Sequence, residues 1–281
     1  MRFKLFGVDC FEKDEANVIV LGLDYTKDSK KVLKNLRKWS TFTEPFDLLE
    51  KKNLLENVRI HDIGDVRLEE IEEVVGVVKE IRDTGKVPLI ISRGHLPTLF
   101  ISRVFKEEKL LVFDAHADCK DRYMDEIIKL DSCRDREKFN GATWLRRLME
   151  GSRKEVLVMG VRSLDQDELS FLREKEIKFI SSFEIKNDRV FETLKEFSKR
   201  SRIYVSLDVD VFDPSICPSV DYPEPEGILM EDFRRIVRNL EGEIVGLDVC
   251  CFNAAKEDRL TGFTVSKALS LLLSRLKNFY Q

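Results

Sequence analysis

The sequence predicts an α/β protein, a three-layer α/β/α sandwich with a mainly parallel sheet of about eight strands. Three observations lead there. Short β-branched runs recur along the whole chain, at 18–22, 58–61, 87–92, 110–114, 156–160, 178–181, 203–208 and 244–248. Most are apolar throughout rather than at alternate positions, which suits parallel strands covered on both faces. Stretches with apolar residues at helical spacing lie between them, at 68–82, 141–150, 166–175, 189–199, 230–240 and 266–278. Such alternation of strand and helix marks a doubly wound sheet.

Taken in order, the first run is Val-Ile-Val-Leu-Gly at 18–22, and the second is the short 58–61. A helix over 68–82 leads to the run 87–92, which ends in Ser92-Arg93-Gly94-His95. The run 110–114 opens into Asp114-Ala115-His116-Ala117-Asp118, and 203–208 opens into Asp208-Val209-Asp210. The last run ends in Asp248, and the helix after it carries Val265, Ala268, Leu269, Leu272 and Leu273 on one face. With no Gly/Ser- or Pro-rich linker and no internal repeat, residues 1–281 read as a single α/β/α domain.

Composition narrows the function. Hydrophobic residues make up 43% and aromatics 9%, enough for a sizeable core, which excludes collagen-like, mucin-like and disordered readings. Lys+Arg number 48 against 52 Asp+Glu, a net charge of −4 with no basic block, so nucleic acid and membrane surfaces are not expected partners. No apolar run approaches the roughly 20 residues of a membrane helix. The start, MRFKLFGVDCFEKDE, is too acidic for a secretory signal, which makes the cytoplasm the expected location. The six cysteines include no CxxC pair and are expected as free thiols. The 36% of charged residues and only two glutamines resemble the bias of proteins from hot-living organisms.

In an open parallel sheet, ligands bind outside the carboxyl ends of the strands. Three strand ends therefore deliver His95, Asp114, His116, Asp118, Asp208 and Asp210 to one rim. Asp114, His116 and Asp118 stand at i, i+2 and i+4, so an extended segment points all three the same way. Four clustered carboxylates repel one another unless a counter-charge is present, and two divalent cations balance them. A set rich in oxygen with some imidazole favours manganese over zinc held by thiolates. One Asp-x-Asp after a strand is ordinarily a turn cap; the combined set points to a metal site.

These residues resemble the arginase–agmatinase–formiminoglutamase family, the ureohydrolases. Asp114-Ala115-His116-Ala117-Asp118 is similar to that family's Asp-Ala-His-x-Asp, and Ser206-Leu207-Asp208-Val209-Asp210-Val211-Phe212-Asp213-Pro214 resembles its Ser-x-Asp-x-Asp-x-x-Asp-Pro. Softer echoes are Gly22-Leu23-Asp24, a turn at Asp62-Ile63-Gly64-Asp65-Val66, the strand end Gly160-Val161-Arg162-Ser163, and Pro223-Glu224-Pro225-Glu226-Gly227-Ile228. The resemblance implies two manganese ions per chain. Asp114 and Asp208 would bridge them, His95 and Asp118 would serve one, and His116 and Asp210 the other. It further implies attack of activated water on an amidine or guanidine carbon of a small molecule, with Asp118 also orienting the nucleophile as the catalytic residue. A homo-oligomer, trimer or hexamer, is implied too.

Departures from the family pattern decide the rest. Ser92-Arg93-Gly94-His95 replaces a glycine-rich histidine motif, and Arg93 either contacts an anionic substrate or, the preferred reading, points to solvent. Asn140 stands where a proton-shuttling histidine is expected, and an amide cannot shuttle protons. Cys251 stands where the glutamate that holds the substrate is expected. In Val220-Asp221-Tyr222-Pro223, Asp221 and Tyr222 narrow or recharge the pocket. Asn140, Asp221, Tyr222 and Cys251 are thus the candidate substrate contacts. Cys250 and Cys251 read as small packed side chains ahead of catalytic thiols. The leading function is a binuclear manganese-dependent hydrolase of a linear amidine-type C–N bond that is a poor arginase and agmatinase. The alternatives are a metal-binding family member with a binding or regulatory role, and a deacetylase-like amide hydrolase.

Overall fold

The computed structural model describes residues 4–26, 29–124, 135–253 and 258–276. Its centre is a sheet of eight strands: β1 (Val18–Asp24), β2 (Ile60–Arg67), β3 (Val87–Ile91), β4 (Lys109–Phe113), β5 (Val156–Val161), β6 (Lys178–Ser181), β7 (Arg202–Asp208) and β8 (Glu243–Cys250). Their spatial order is β6-β5-β4-β7-β8-β3-β1-β2, and every pairing is parallel. The chain thus lays down one half of the sheet, crosses to build the other, and returns to fill the middle with β7 and β8. The strands whose ends carry His95, Asp114, Asp208 and Asp248 become the four central ones.

The helices are α1 (Ser29–Ser40), α2 (Val74–Asp83), α3 (Pro97–Ile101), α4 (Trp144–Glu150), α5 (Gln166–Glu174), α6 (Val190–Ser198), α7 (Met230–Asn239) and α8 (Arg259–Leu273). Two apolar cores flank the sheet. Alternation along each strand feeds both: Val18 and Val20 face one core with α1, α6, α7 and α8, while Ile19 and Leu21 face the other with α2 to α5. This is the three-layer arrangement that the apolar runs imply.

Several elements depart from the sequence reading. α1 was not among the expected helices, although Leu33 and Leu36 are buried one turn apart. α3 has all five residues buried, so it carries no polar face to read. β2 runs to Arg67, and the expected turn at 62–66 is edge strand. Arg37 of α1 holds Asp62, at 2.6 Å, and Asp65 there. α8 begins at Arg259, not 266, because the Asp258 carboxylate accepts from the backbone of Leu260 and Thr261. The expected helix end at residues 277–278 and Cys133 lie outside the described residues. The other five cysteines are free thiols. Among the described residues no helix is long and apolar enough to cross a membrane.

Gly160, near the end of β5, has φ +104, and a Cβ there would meet Val211 Cγ2 at 2.4 Å and the Asp114 carbonyl at 3.1 Å. This glycine lets β5 approach both metal-motif loops. We expect Gly160→Ala to cost about 1–3 kcal/mol through overpacking and strain. The measurement is the urea midpoint at constant m value, and an unchanged midpoint refutes the close approach.

Candidate metal centre

His95 follows β3 and is 1% exposed; Asp114 follows β4; Asp208 ends β7 and Asp210 lies in the turn after it. Each aspartate binds the backbone with one oxygen or is otherwise aimed. Asp114 Oδ1 accepts from His116 N at 2.6 Å, Asp208 Oδ1 from Asp210 N at 3.0 Å, and Asp210 Oδ1 from Ala115 N at 3.1 Å. Asp118 Oδ2 accepts from the Trp144 indole at 2.7 Å.

The second oxygens of Asp114, Asp208 and Asp210 converge with Asp118 Oδ2 on the two imidazoles. His95 Nδ1 lies 3.0 Å from Asp118, 3.1 Å from Asp114 and 3.3 Å from Asp208. His116 Nδ1 lies 3.1 Å from Asp210 and 3.5 Å from Asp114. Donor atoms of His95, Asp114 and Asp208 fall within 4.8 Å of one another, as do those of Asp114, His116 and Asp210. Asp114 turns one oxygen toward each imidazole. Asp208 turns its other oxygen, Oδ2, toward His95.

Five residues outside the six expected ligands orient this set. His95 Nε2 meets Ser206 Oγ at 2.9 Å, and Ser206 Oγ meets Asp248 Oδ1 at 2.7 Å. Tyr204 and Thr98 donate to Asp248 Oδ2 at 2.7 and 3.1 Å. Ser206 has one proton and gives it to the carboxylate, so His95 donates through Nε2 and presents Nδ1 as a lone pair. That nitrogen is buried and makes no hydrogen bond, although three carboxylates surround it. It calls for positive charge, from a proton or a metal cation. Trp144 packs its ring 4.6 Å from the His95 ring while holding Asp118. A serine two residues before Asp208 and a tryptophan after Gly141 are the sequence signals that mark these partners.

The electrostatics agree. Burial opposes charge on both imidazoles, yet Asp114, Asp118 and Asp208 hold His95 well above its ordinary value. Asp210 and Asp114 push His116 up to about 12. Burial and the charge of Asp114 push Asp118 up to about 7, and burial with Asp210 and Asp114 raises Asp208. The site is short of cations, which is the condition a pair of divalent ions meets.

Above the cluster opens a cavity of about 340 Å³, lined in part by Asp118, Tyr123, Ala142, Asp221, Tyr222 and Cys251. Tyr222 sits edge-on to the His116 ring. Asn140, a candidate substrate contact by sequence, is instead a cap: its oxygen accepts from Ala142 N, and its nitrogen donates to the carbonyls of Tyr123 and Arg136. Its side chain is spent on the backbone and is not among the residues lining the cavity. Arg93 does not point to solvent. It is 6% exposed and forms a two-pronged pair with Asp221, Nη2 to Oδ1 at 2.8 Å and Nη1 to Oδ2. Asn253 also donates to Asp221, at 2.7 Å. Asp221 therefore brings no uncompensated negative charge to the pocket. Cys251 reaches the cavity with φ 66, a left-handed conformation unusual for cysteine. Cys250 is fully buried, and burial together with Cys251 and Asp208 raises its thiol well above the ordinary value, so neither packing nor charge makes it a ready nucleophile.

An all-parallel sheet whose central strand ends gather two imidazoles and four carboxylates under a small cavity defines an α/β protein with a candidate metal-binding site. Residues 28–275 match the model of the arginase family, and the chain belongs to that family, whose members hydrolyse C–N bonds. It is 29% identical over 248 residues to an arginase of Medicago truncatula, covering 81% of this chain and 70% of that one. It is 30% identical over 238 residues to a guanidinopropionase of Pseudomonas aeruginosa, covering 77% and 72%. Among solved structures, the agmatine ureohydrolase of Thermoplasma volcanium superposes with a TM-score of 0.78 at 26% identity, covering 95% of this chain and 92% of that one.

The buried Arg93–Asp221 pair invites a double-mutant cycle. Removing one partner leaves a buried charge alone, so Arg93→Leu is expected to destabilise by about 3–5 kcal/mol, and Arg93→Leu with Asp221→Leu by clearly less. Chemical denaturation of the four proteins measures it, and additive losses overturn the pairing.

Proposed function

We propose that the protein is a binuclear, manganese-class hydrolase of a linear amidine-type C–N bond, and that it is a poor arginase and a poor agmatinase. The observation that carries the metal reading is His95 Nδ1, a buried lone pair aimed at three carboxylates. His95, Asp118 and Asp208 would hold one ion, His116 and Asp210 the other, with Asp114 shared. When bound, the ions supply Lewis acidity and lower the pKa of a water at the site.

The chain's own residues do the rest. The Trp144 indole fixes Asp118 Oδ2, so Asp118 presents a set direction to an incoming water and can take its proton. Ser206 and Asp248 keep His95 in one tautomer. Tyr222 and Ala142 wall the cavity that a substrate would enter. With Asn140 committed as a cap, the leaving amine takes its proton from Asp118 or from water.

The substrate reading rests on charge. In the cavity wall Asp221 is paired with Arg93, and Lys120 is shared between Glu168, at 3.0 Å, and Asp165. Cys251 offers no charge of its own. A cationic guanidinium entering the pocket would lack the charged hydrogen bond that the family's glutamate provides, worth about 1.5–3 kcal/mol. Amidinium groups are cationic as well, so any amidine or guanidine substrate is held here without that carboxylate.

Two outcomes test the reading. Crystals soaked in manganese should show two anomalous peaks among the six named ligands, and chelator should lower the melting temperature, by less in Asp208→Asn than in the native chain. Identical melting curves with chelator and with excess manganese sink the metal reading. Urea release from arginine and from agmatine, with manganese present, should be at least about tenfold below that of the relatives, as the lost hydrogen bond alone implies. Equal turnover on either compound overturns the substrate reading.

A further inference from the structure

Parallel pairing sets Asp208 beside Cys250, and the Cys250 sulfur lies 3.6 Å from Asp208 Oδ2, the oxygen that also faces His95. Consecutive residues of a strand ordinarily point to opposite faces. The left-handed backbone at Cys251 breaks that alternation. As a result the donor atoms of Asp208, Cys250 and Cys251 all lie within 4.8 Å of one another; those of His95, Asp248 and Cys250 do as well, because Asp248 and Cys250 stand two apart on β8 and share a face. Two sulfurs therefore border the His95 half of the centre. The other group, Asp114, His116 and Asp210, contains no cysteine.

We propose that Cys250 and Cys251 add sulfur donors to the His95 position, so that it selects a thiophilic divalent ion of the zinc, cobalt or iron(II) class. The His116 position keeps the oxygen-rich set suited to manganese. This rests on the metal reading above and sharpens it from two like ions to an unlike pair. Oxygen and imidazole donors alone accept hard and borderline ions, whereas thiolate shifts preference toward the softer ones. A sulfur that binds the ion does so as thiolate, and its proton leaves to solvent with no change of oxidation state. The ion thereby provides the positive charge that the neighbouring carboxylates withhold from the free thiol.

The test is a cobalt(II) titration of the metal-free full chain, followed by absorption. Native protein should develop a sulfur-to-cobalt charge-transfer band in the near ultraviolet along with ligand-field bands in the visible. Cys250→Ser/Cys251→Ser should keep the visible bands and lose the ultraviolet one. Zinc affinity should fall by about tenfold or more in that variant, since losing even a partner one shell out costs about 10–100-fold, while manganese affinity changes little. Cys251→Ser alone, at the cavity wall, serves as a second variant if the double one does not fold, and should weaken the same band. Cobalt bound with visible bands but no ultraviolet band overturns the proposal and leaves the metal reading standing. So does a band that survives both substitutions. Failure of cobalt and manganese alike to bind overturns both.

Discussion

Mutual repulsion of four buried carboxylates is the constraint on which this molecule turns. Asp114, Asp118, Asp208 and Asp210 are each 8% exposed or less, and together they outnumber the two imidazoles among them. Burial of unpaired charge costs several kcal/mol per ion even after relaxation. The fold lowers that cost in part with backbone amides, which take one oxygen each from Asp114, Asp208 and Asp210. What remains is directional: one oxygen of each carboxylate is aimed inward. Ser206, Tyr204, Thr98 and Asp248 behind His95, and Trp144 behind Asp118, exist to hold those directions. Arg162 does similar work on the main chain, donating to the carbonyls of Asp210 at 2.8 Å and Glu224 at 2.9 Å and so tying two loops beside His116.

Arg93 shows how one substitution reshapes a pocket without touching its metals. A buried guanidinium needs a carboxylate, and Asp221 supplies it in the fork geometry that arginine favours. The pair closes on itself, so the acid that alone might have drawn a cationic substrate is neutral in effect. Read residue by residue, Asp221 looks like a substitute for the glutamate lost at Cys251. Read as a pair, it is part of the scaffold.

The legible part of the fold was the set of buried central strands, because residues apolar on both faces leave short runs rich in β-branched residues and bounded by turn residues. The metal centre was legible for a related reason: it sits on the ends of those strands, where i, i+2 spacing survives in the sequence. β2 and α3 were harder, one an edge strand half polar and the other wholly buried, so neither shows a clean period. The orientations of Arg93 and Asn140 were not legible at all. Whether a polar side chain faces a cavity or a neighbouring loop depends on contacts 128 residues away in one case and on a local turn in the other.

Backbone strain ties these threads together. Asp118 and Cys251 both adopt left-handed conformations, φ 50 and 66, and both line the cavity. For residues other than glycine such conformations cost of order 1–3 kcal/mol and persist only where the surroundings over-determine them. Those surroundings can be named. Asp118 is pinned by the Trp144 indole and by Leu145 N, which donates to its carbonyl at 3.2 Å. Cys251 is pinned between the β7–β8 register and Asn253 N, which donates to Ser219 O at 2.8 Å. The two strained residues face the cavity from the segments after two different strands, β4 and β8, one bringing a carboxylate and the other a thiol to the same cluster. Relaxing either to ordinary extended backbone would swing Asp118 away from His95 or Cys251 away from Asp208, so the strain is the means by which both remain in place.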